Sequence, residues 1–154
     1  MNIEFRKPNK YDGKDIATWR YEGIYSFYDN DKTKEKQQWA LNIHNEKDTF
    51  VMYNEENKLI GNCCFYFDDD NIKFNFGVQM RPDLTGKGMG DEVLKFILKF
   101  AKENYKFNEI YLLVAKFNKR AIKLYSNLEF EILEEFIWNV NGEETEFIEM
   151  KKIL

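Results

Sequence analysis

The chain has 154 residues, a length that suits one domain with one core. Hydrophobic residues make up 44% and charged residues 32%, a globular composition that excludes a disordered or membrane-embedded chain. The net charge of −4 has the wrong sign for non-specific nucleic-acid binding, and no apolar run is long enough to span a bilayer.

In chain order, Ile3 and Phe5 alternate with polar neighbours and predict a first strand. Pro8 to Gly13 reads as a turn, and Asp15 is placed to cap a helix over Ile16–Tyr21 that ends near Gly23. A short aromatic stretch, Ile24 to Tyr28, has no assigned form. A second helix runs through Lys34–Leu41, with Trp39 and Ile43 four apart on one face. The period then changes. Strands are predicted over Phe50–Tyr53, Lys58–Phe67 and Ile72–Met80, joined by polar turns at Asn54–Asn57 and Asp68–Asn71, so that they form an antiparallel meander. The glycine-rich Leu84–Gly90 leads into a helix with Val93, Leu94, Ile97, Leu98 and Ala101 on one stripe. An apolar strand over Glu109–Ala115, a helix over Asn118–Asn127, and strands over Glu131–Val140 and Glu144–Lys151 around Asn141-Gly142 complete the chain. This order predicts a single α/β (α+β) domain over residues 1–154: a mixed, mostly antiparallel sheet of about seven strands with helices on both faces.

Few residue types remain for metal or histidine chemistry. Cys63 and Cys64 are adjacent on a predicted strand, so they point to opposite faces and suit neither a disulfide nor a zinc site. His44 is the one histidine and reads as a surface residue near a helix end, which excludes a Ser-His-Asp triad unless it acts alone. No metal is expected. The N-terminus lacks an apolar signal core, so the cytoplasm is the expected location.

The chemistry concentrates at Gly86, Gly88 and Gly90, between a strand and a helix. Glycines there let backbone N–H groups approach a ligand, and the helix start adds unsatisfied N–H groups and a positive dipole end. Together with Lys87 they make an anion site suited to phosphate. A Walker A loop would need Ser or Thr after Lys87, and a dinucleotide fingerprint would need a parallel βαβ unit with a different glycine spacing, so both fit poorly.

Met80-Arg81-Pro82-Asp83-Leu84-Thr85-Gly86-Lys87-Gly88-Met89-Gly90 and the helix after it resemble the acetyl-CoA-binding motif of the GNAT N-acetyltransferase superfamily. Asn118-Lys119-Arg120-Ala121-Ile122-Lys123-Leu124-Tyr125-Ser126-Asn127-Leu128-Glu129-Phe130 resembles that family's second signature, and the element order is similar throughout. Two positions depart from the pattern: Thr85 stands where Gln or Arg is usual, and Glu129 where glycine precedes the Phe.

The resemblance implies direct transfer of an acetyl group from acetyl-CoA to a primary amine, with a small cationic molecule as the expected acceptor. A peptide or protein amine, or a non-catalytic acyl-CoA-binding module, is the alternative. It implies that Val78, Gln79, Met80, Thr85, Gly86, Lys87, Gly88, Met89, Gly90, Asn118 and Tyr125 hold the cofactor. The N–H of Met80 would stabilise the oxyanion, and Tyr125 would protonate the leaving thiolate. The helix-flanked segment that walls the acceptor would contribute Tyr25 and Tyr28. A general base is not selected among Glu22, Asp29, Glu135 and a water chain. Eight glutamates between Glu129 and Met150, with no Lys or Arg among them, read either as a solvated strand face or as a funnel for a cation. Self-association through the exposed edges of the final strands is an open alternative.

Overall fold

The computed structural model describes residues 1–154. Its seven-stranded sheet has the order β1-β2-β3-β4-β5-β7-β6. The chain divides into two compact units, Met1–Cys64 with Val78–Met89, and Phe65–Gly77 with Gly90–Leu154. Two of the three breaks fall inside strands β3 (Leu59–Phe67) and β4 (Phe74–Met80), and the third lies at the end of the loop that precedes Gly90.

In the first unit β1 (Ile3–Arg6) pairs antiparallel with β2 (Thr49–Asn54), and β2 pairs antiparallel with β3. The first helix is not where the sequence predicts it. α1 spans Lys10–Ile16, over the expected turn, and the residues after Ile16 do not continue it. A capping box explains the difference: the Asn9 side chain accepts from the Asp12 N–H at 2.9 Å, and the Asn9 N–H donates to the Asp12 carboxylate at 2.9 Å. Gly13, which reads as a turn residue, is there for close packing. A Cβ on it would lie 2.6 Å from the carbonyl oxygen of Ala40 in α2 (Lys34–Leu41). Thr33 caps α2 through the Lys36 N–H, 3.1 Å away. α2 ends before Ile43, which lies in a short 3-10 turn and is still fully buried beside Trp39, Ile16, Trp19, Val51 and Leu59. The aromatic stretch is a 3-10 turn over Gly23–Tyr28.

In the second unit, the hairpin after β3 is closed by Asp68, whose N–H donates to the Lys73 carbonyl and whose carboxylate accepts from the N–H groups of Ile72 and Lys73. That turn absorbs Ile72 and Lys73, so β4 starts at Phe74 rather than at Ile72. α3 (Gly90–Asn104) buries Val93, Leu94, Ile97, Leu98 and Ala101, the stripe the sequence predicts. β5 (Glu109–Ala115) pairs parallel with β4 at Asn75 and Tyr111, and antiparallel with β7 (Glu143–Ile153) along its whole length. It buries one face through Ile110, Leu112 and Val114, while Tyr111 and Leu113 on the other are half-buried. β6 (Glu131–Val140) pairs only with β7 and forms the sheet edge. The β6–β7 turn uses Asn141 and Gly142, both at positive φ, the two-residue hairpin geometry expected of Asn-Gly. Cys63 is buried and Cys64 half-buried, both as free thiols, and burial pushes the Cys63 thiol pKa up. No helix is long and apolar enough to cross a membrane.

Candidate active site

The glycine segment begins after a 3-10 turn at Pro82–Leu84. Gly86 and Gly88 have φ of +71° and +77°, which a side-chain-bearing residue adopts only at a cost. At Gly88 nothing lies within 4 Å of a would-be Cβ, so the backbone angle and not crowding requires the glycine. At Gly90, the first residue of α3, a Cβ would meet Leu124 Cδ2 at 2.6 Å, in α4 (Lys119–Asn127), the end of a flexible side chain that can shift to make room. The N–H groups of Gly86, Lys87, Gly88 and Met89 make no hydrogen bond within the chain. Gly86, Lys87 and Gly88 are exposed and Met89 is half-buried. This row of donors leads into a helix of 15 residues, whose first turn carries Asp91 and Glu92. Lys95 pairs with Asp91 at 2.9 Å and offsets part of that negative charge. Thr85 behaves differently from its glycine neighbours. Its hydroxyl and its N–H both donate to the Pro82 carbonyl, at 2.8 and 3.2 Å, so both its donors are used within the turn.

Val78, Gln79 and Met80 form the carboxyl end of β4 and are half-buried. The Gln79 amide is the centre of a buried polar lattice in the first unit. Asn30 Nδ2 donates to Gln79 Oε1 at 3.0 Å, Gln79 Nε2 donates to Asn30 Oδ1 at 3.2 Å and to the Tyr28 carbonyl at 3.3 Å, and Asn62 Nδ2 donates to Gln79 Oε1 at 3.3 Å. Asn30 and Asn62 are only 3% and 4% exposed, so these bonds are needed to offset their desolvation. The Asn30 amide also reaches the Ile16 carbonyl at 2.7 Å. Tyr21 adds a hydroxyl donated to the Met80 carbonyl at 2.6 Å, and burial pushes its pKa well above the usual phenol value. Arg81 closes this end of the strand. Its guanidinium donates to the Leu59 carbonyl at 2.7 Å, pairs with Asp15, and lies over the Trp19 ring 5.3 Å from its centroid.

Asp15 therefore does not cap a helix. It accepts from Arg81 and from Trp19 Nε1 at 3.2 Å. Trp19 is a core residue, 3% exposed. Tyr25 and Tyr28 are half-buried in the 3-10 turn, and the Tyr28 ring meets Phe27 edge to face at 5.1 Å. The carboxylates beside them are mostly engaged: Asp29 accepts from the Tyr21 N–H at 2.7 Å, and Asp31 pairs with Arg20, which holds its carboxyl pKa below the usual range. Glu22 stays exposed. In the second unit Glu135 pairs with Lys116 at 3.0 Å.

α4 positions the other predicted residues. Asn118 is its N-cap, accepting from the Ala121 N–H at 3.1 Å. Tyr125 lies on the inner face, 9% exposed, edge-on to Phe76 at 6.3 Å and to Phe130 at 5.6 Å. The helix ends in a Schellman motif: the Phe130 N–H donates to the Tyr125 carbonyl at 3.0 Å and the Glu129 N–H to the Ser126 carbonyl at 3.0 Å. Glu129 takes φ +69°, the left-handed conformation that a glycine would adopt at this position. The Glu129 departure thus leaves the backbone of the motif intact.

The acidic C-terminal stretch is partly neutralised by lysines elsewhere in the chain. Lys73 pairs with Glu149 at 3.1 Å, Lys116 with Glu135 and with Glu146 at 3.6 Å, and Lys152 with Glu129 at 3.8 Å. The same hairpin carries an aromatic cluster of Phe136, Trp138 and Phe147. Sequence reasoning missed Tyr21, Asn30 and Asn62. A Tyr or Asn bonded to a partner 14–59 residues away leaves no local pattern to read.

Residues 13–130 match the acetyltransferase (GNAT) family, and the chain belongs to it. The acetyltransferase PseH of Campylobacter jejuni is 34% identical over 98 residues, which are 62% of this chain and 58% of that protein. Among solved structures, an acetyltransferase of the GNAT family from Bacillus anthracis matches with a TM-score of 0.77 at 16% identity, over 99% of this chain and 95% of the other. A dodecameric spermidine N-acetyltransferase from Vibrio cholerae matches with a TM-score of 0.69 at 20% identity, over 98% and 93%. The two structures share the fold with this chain.

Proposed function

We propose that the chain, acting as one catalytic domain, transfers the acetyl group of acetyl-CoA to a primary amine of a small molecule. The observation that carries this reading is the row of unspent N–H groups from Gly86 to Met89, held by two left-handed glycines at the start of α3. It offers directed donors and a positive dipole end to the anionic part of the cosubstrate, and exposed Lys87 adds a charge. Thr85 contributes little here, since its donors serve the preceding turn. Val78 to Met80 would supply main-chain groups to the pantetheine arm, and Asn118 would add its side chain without giving up its cap.

The neutral amine attacks the thioester carbonyl, the Met80 N–H stabilises the oxyanion, the C–S bond breaks, Tyr125 gives its proton to the thiolate, and the proton shed by the nitrogen passes to water, from which the Tyr125 phenol is restored. A phenol with a pKa of ~10 is a ready acid at neutral pH. No carboxylate is assigned as base. A small cationic acceptor fits the rings of Tyr25 and Tyr28 and the exposed Glu22 beside them, while the paired Asp15, Asp29 and Asp31 add nothing to that preference. The spermidine activity of the Vibrio cholerae enzyme belongs to a protein 20% identical and lends the fold rather than the substrate. Free thiols at Cys63 and Cys64 suit the reducing cytoplasm. The apolar, unpaired edge of β6, with Ile132, Leu133, Ile137 and Trp138 exposed, is where a second copy would add.

The test is release of free CoA thiol from acetyl-CoA across a panel of polyamines, amino sugars, amino acids and lysine peptides. Amine-dependent release with a small molecule supports the reading. Release only with peptides moves the acceptor class. Acetyl-CoA binding with no release anywhere would make the chain a non-catalytic acyl-CoA-binding module.

A further inference from the structure

Met80 is one residue of β4, and its two polar main-chain groups are treated differently. In an extended strand the N–H and C=O of one residue point to the same side, and those of its neighbours to the other. The Gln79 carbonyl faces β3: a Cβ on Gly61 would lie 2.7 Å from its oxygen. The Arg81 N–H also faces β3 and donates to the Ile60 carbonyl at 2.8 Å. The Gln79–Met80 peptide is trans, as are all peptides of the chain, so the Met80 N–H points away from β3. The Met80 carbonyl lies on that same outer side, and it receives the Tyr21 hydroxyl at 2.6 Å.

We propose that Tyr21 is a positioning residue: by occupying the Met80 carbonyl it leaves the Met80 N–H as the one polar main-chain group of that residue offered to the thioester oxygen. This rests on the acetyl-transfer reading above, with the Met80 N–H as oxyanion donor. The physical need is direct. A bare carbonyl next to the forming oxyanion would oppose the charge that the N–H stabilises, and a hydrogen bond to it both quenches that dipole and fixes the angle of the adjoining peptide. The tyrosine is itself held. Its N–H donates to Asp29, its segment is tied to β4 through the paired amides of Asn30 and Gln79, and the Asn30 N–H donates to the Trp19 carbonyl at 3.2 Å. Burial keeps the phenol protonated, and therefore a donor, well past neutral pH.

The readout is the infrared stretching band of acetyl-CoA labelled at the acetyl carbonyl carbon, taken bound to the full chain and free in solution, beside a calorimetric titration. It needs no acceptor. For the unaltered chain the band should shift to lower frequency on binding. In Tyr21→Phe it should return toward the free value while affinity stays within about threefold, and turnover on any acceptor found should fall roughly 10-fold with KM nearly unchanged. Replacing Tyr21 with a ring-fluorinated tyrosine, a stronger donor of the same shape, should move the band further down and keeps the test open if Tyr21→Phe does not fold. A band that stays in place in both variants at unchanged affinity overturns the proposal. Failure of the unaltered chain to bind acetyl-CoA overturns the acetyl-transfer reading itself, and this proposal with it.

Discussion

The Met80 peptide and the Tyr125 ring, the two groups assigned to the reaction, are held by different forces. Around Met80 the restraints are polar: half-buried Tyr21 and Gln79 and buried Asn30 and Asn62 make hydrogen bonds among themselves and to main-chain carbonyls. Around Tyr125 the packing is aromatic: it meets the rings of Phe76 and Phe130 from a helix capped by Asn118, with a Schellman turn four residues on. A polar lattice fixes direction and fails when one member is lost, because its partners are left desolvated and unpaired. Aromatic packing fixes position and survives changes that keep the rings. The two regions should therefore respond to substitution in opposite ways.

The largest effect is expected at Tyr125. Tyr125→Phe keeps both ring contacts, so the chain should still fold while turnover drops ~10²-fold and acetyl-CoA affinity stays the same. Steady-state kinetics beside a thermal melt check this, and unchanged turnover would remove Tyr125 from the mechanism. Gln79→Ala should do the reverse to the fold. It strands the Asn30 and Asn62 amides and should cost about 2 kcal/mol, a fall in melting temperature of about 4–8 °C. A melt within a degree of the original would mean that the lattice is not what holds this end of β4.

A third difference lies in alkali. Burial raises the folded-state pKa of Tyr21 above its unfolded value of ~10, so its contribution to stability is fully present below pH ~10 and is lost as pH rises toward the folded-state value. Chemical denaturation above pH 10 should show stability falling by up to about 1.4 kcal/mol per pH unit from this group, and Tyr21→Phe should remove that share. The smallest effect is at the end of α4. Glu129 holds a left-handed φ that costs a side-chain-bearing residue roughly 1–2 kcal/mol, part of which glycine returns as entropy, so Glu129→Gly should stabilise by about 0.5–1 kcal/mol and leave kinetics alone. A destabilised Glu129→Gly would mean that its ion pair with Lys152 outweighs the backbone cost.

The same contrast decides what could be read from the chain alone. The stripe of α3, the limits of β5 and β6 and the Asn-Gly turn were legible because each rests on a local period or turn residue. The glycine segment and the Asn118–Phe130 helix were legible through their spacing. α1 was misplaced because Asn9, Asp12 and Gly13 are all turn-favouring residues, used here as a capping box and a close helix contact. The acidic C-terminal stretch looked unbalanced because its lysine partners, at 73, 116 and 152, lie outside it. The Met80 lattice was invisible: its bonds join residues 14 to 59 apart, and neither Asn30 nor Tyr21 sits in a pattern that announces a partner.

The central claim is that the loop from Gly86 to Met89 holds acetyl-CoA. Calorimetric titration of the ligand-free protein with acetyl-CoA, with ATP and NAD as controls, tests it most directly, repeated on Gly88→Val to force the loop out of its left-handed angle. Saturable binding of acetyl-CoA alone, weakened at least ~10-fold in Gly88→Val, is the predicted result. No binding of acetyl-CoA, or equal binding by both proteins, would contradict it.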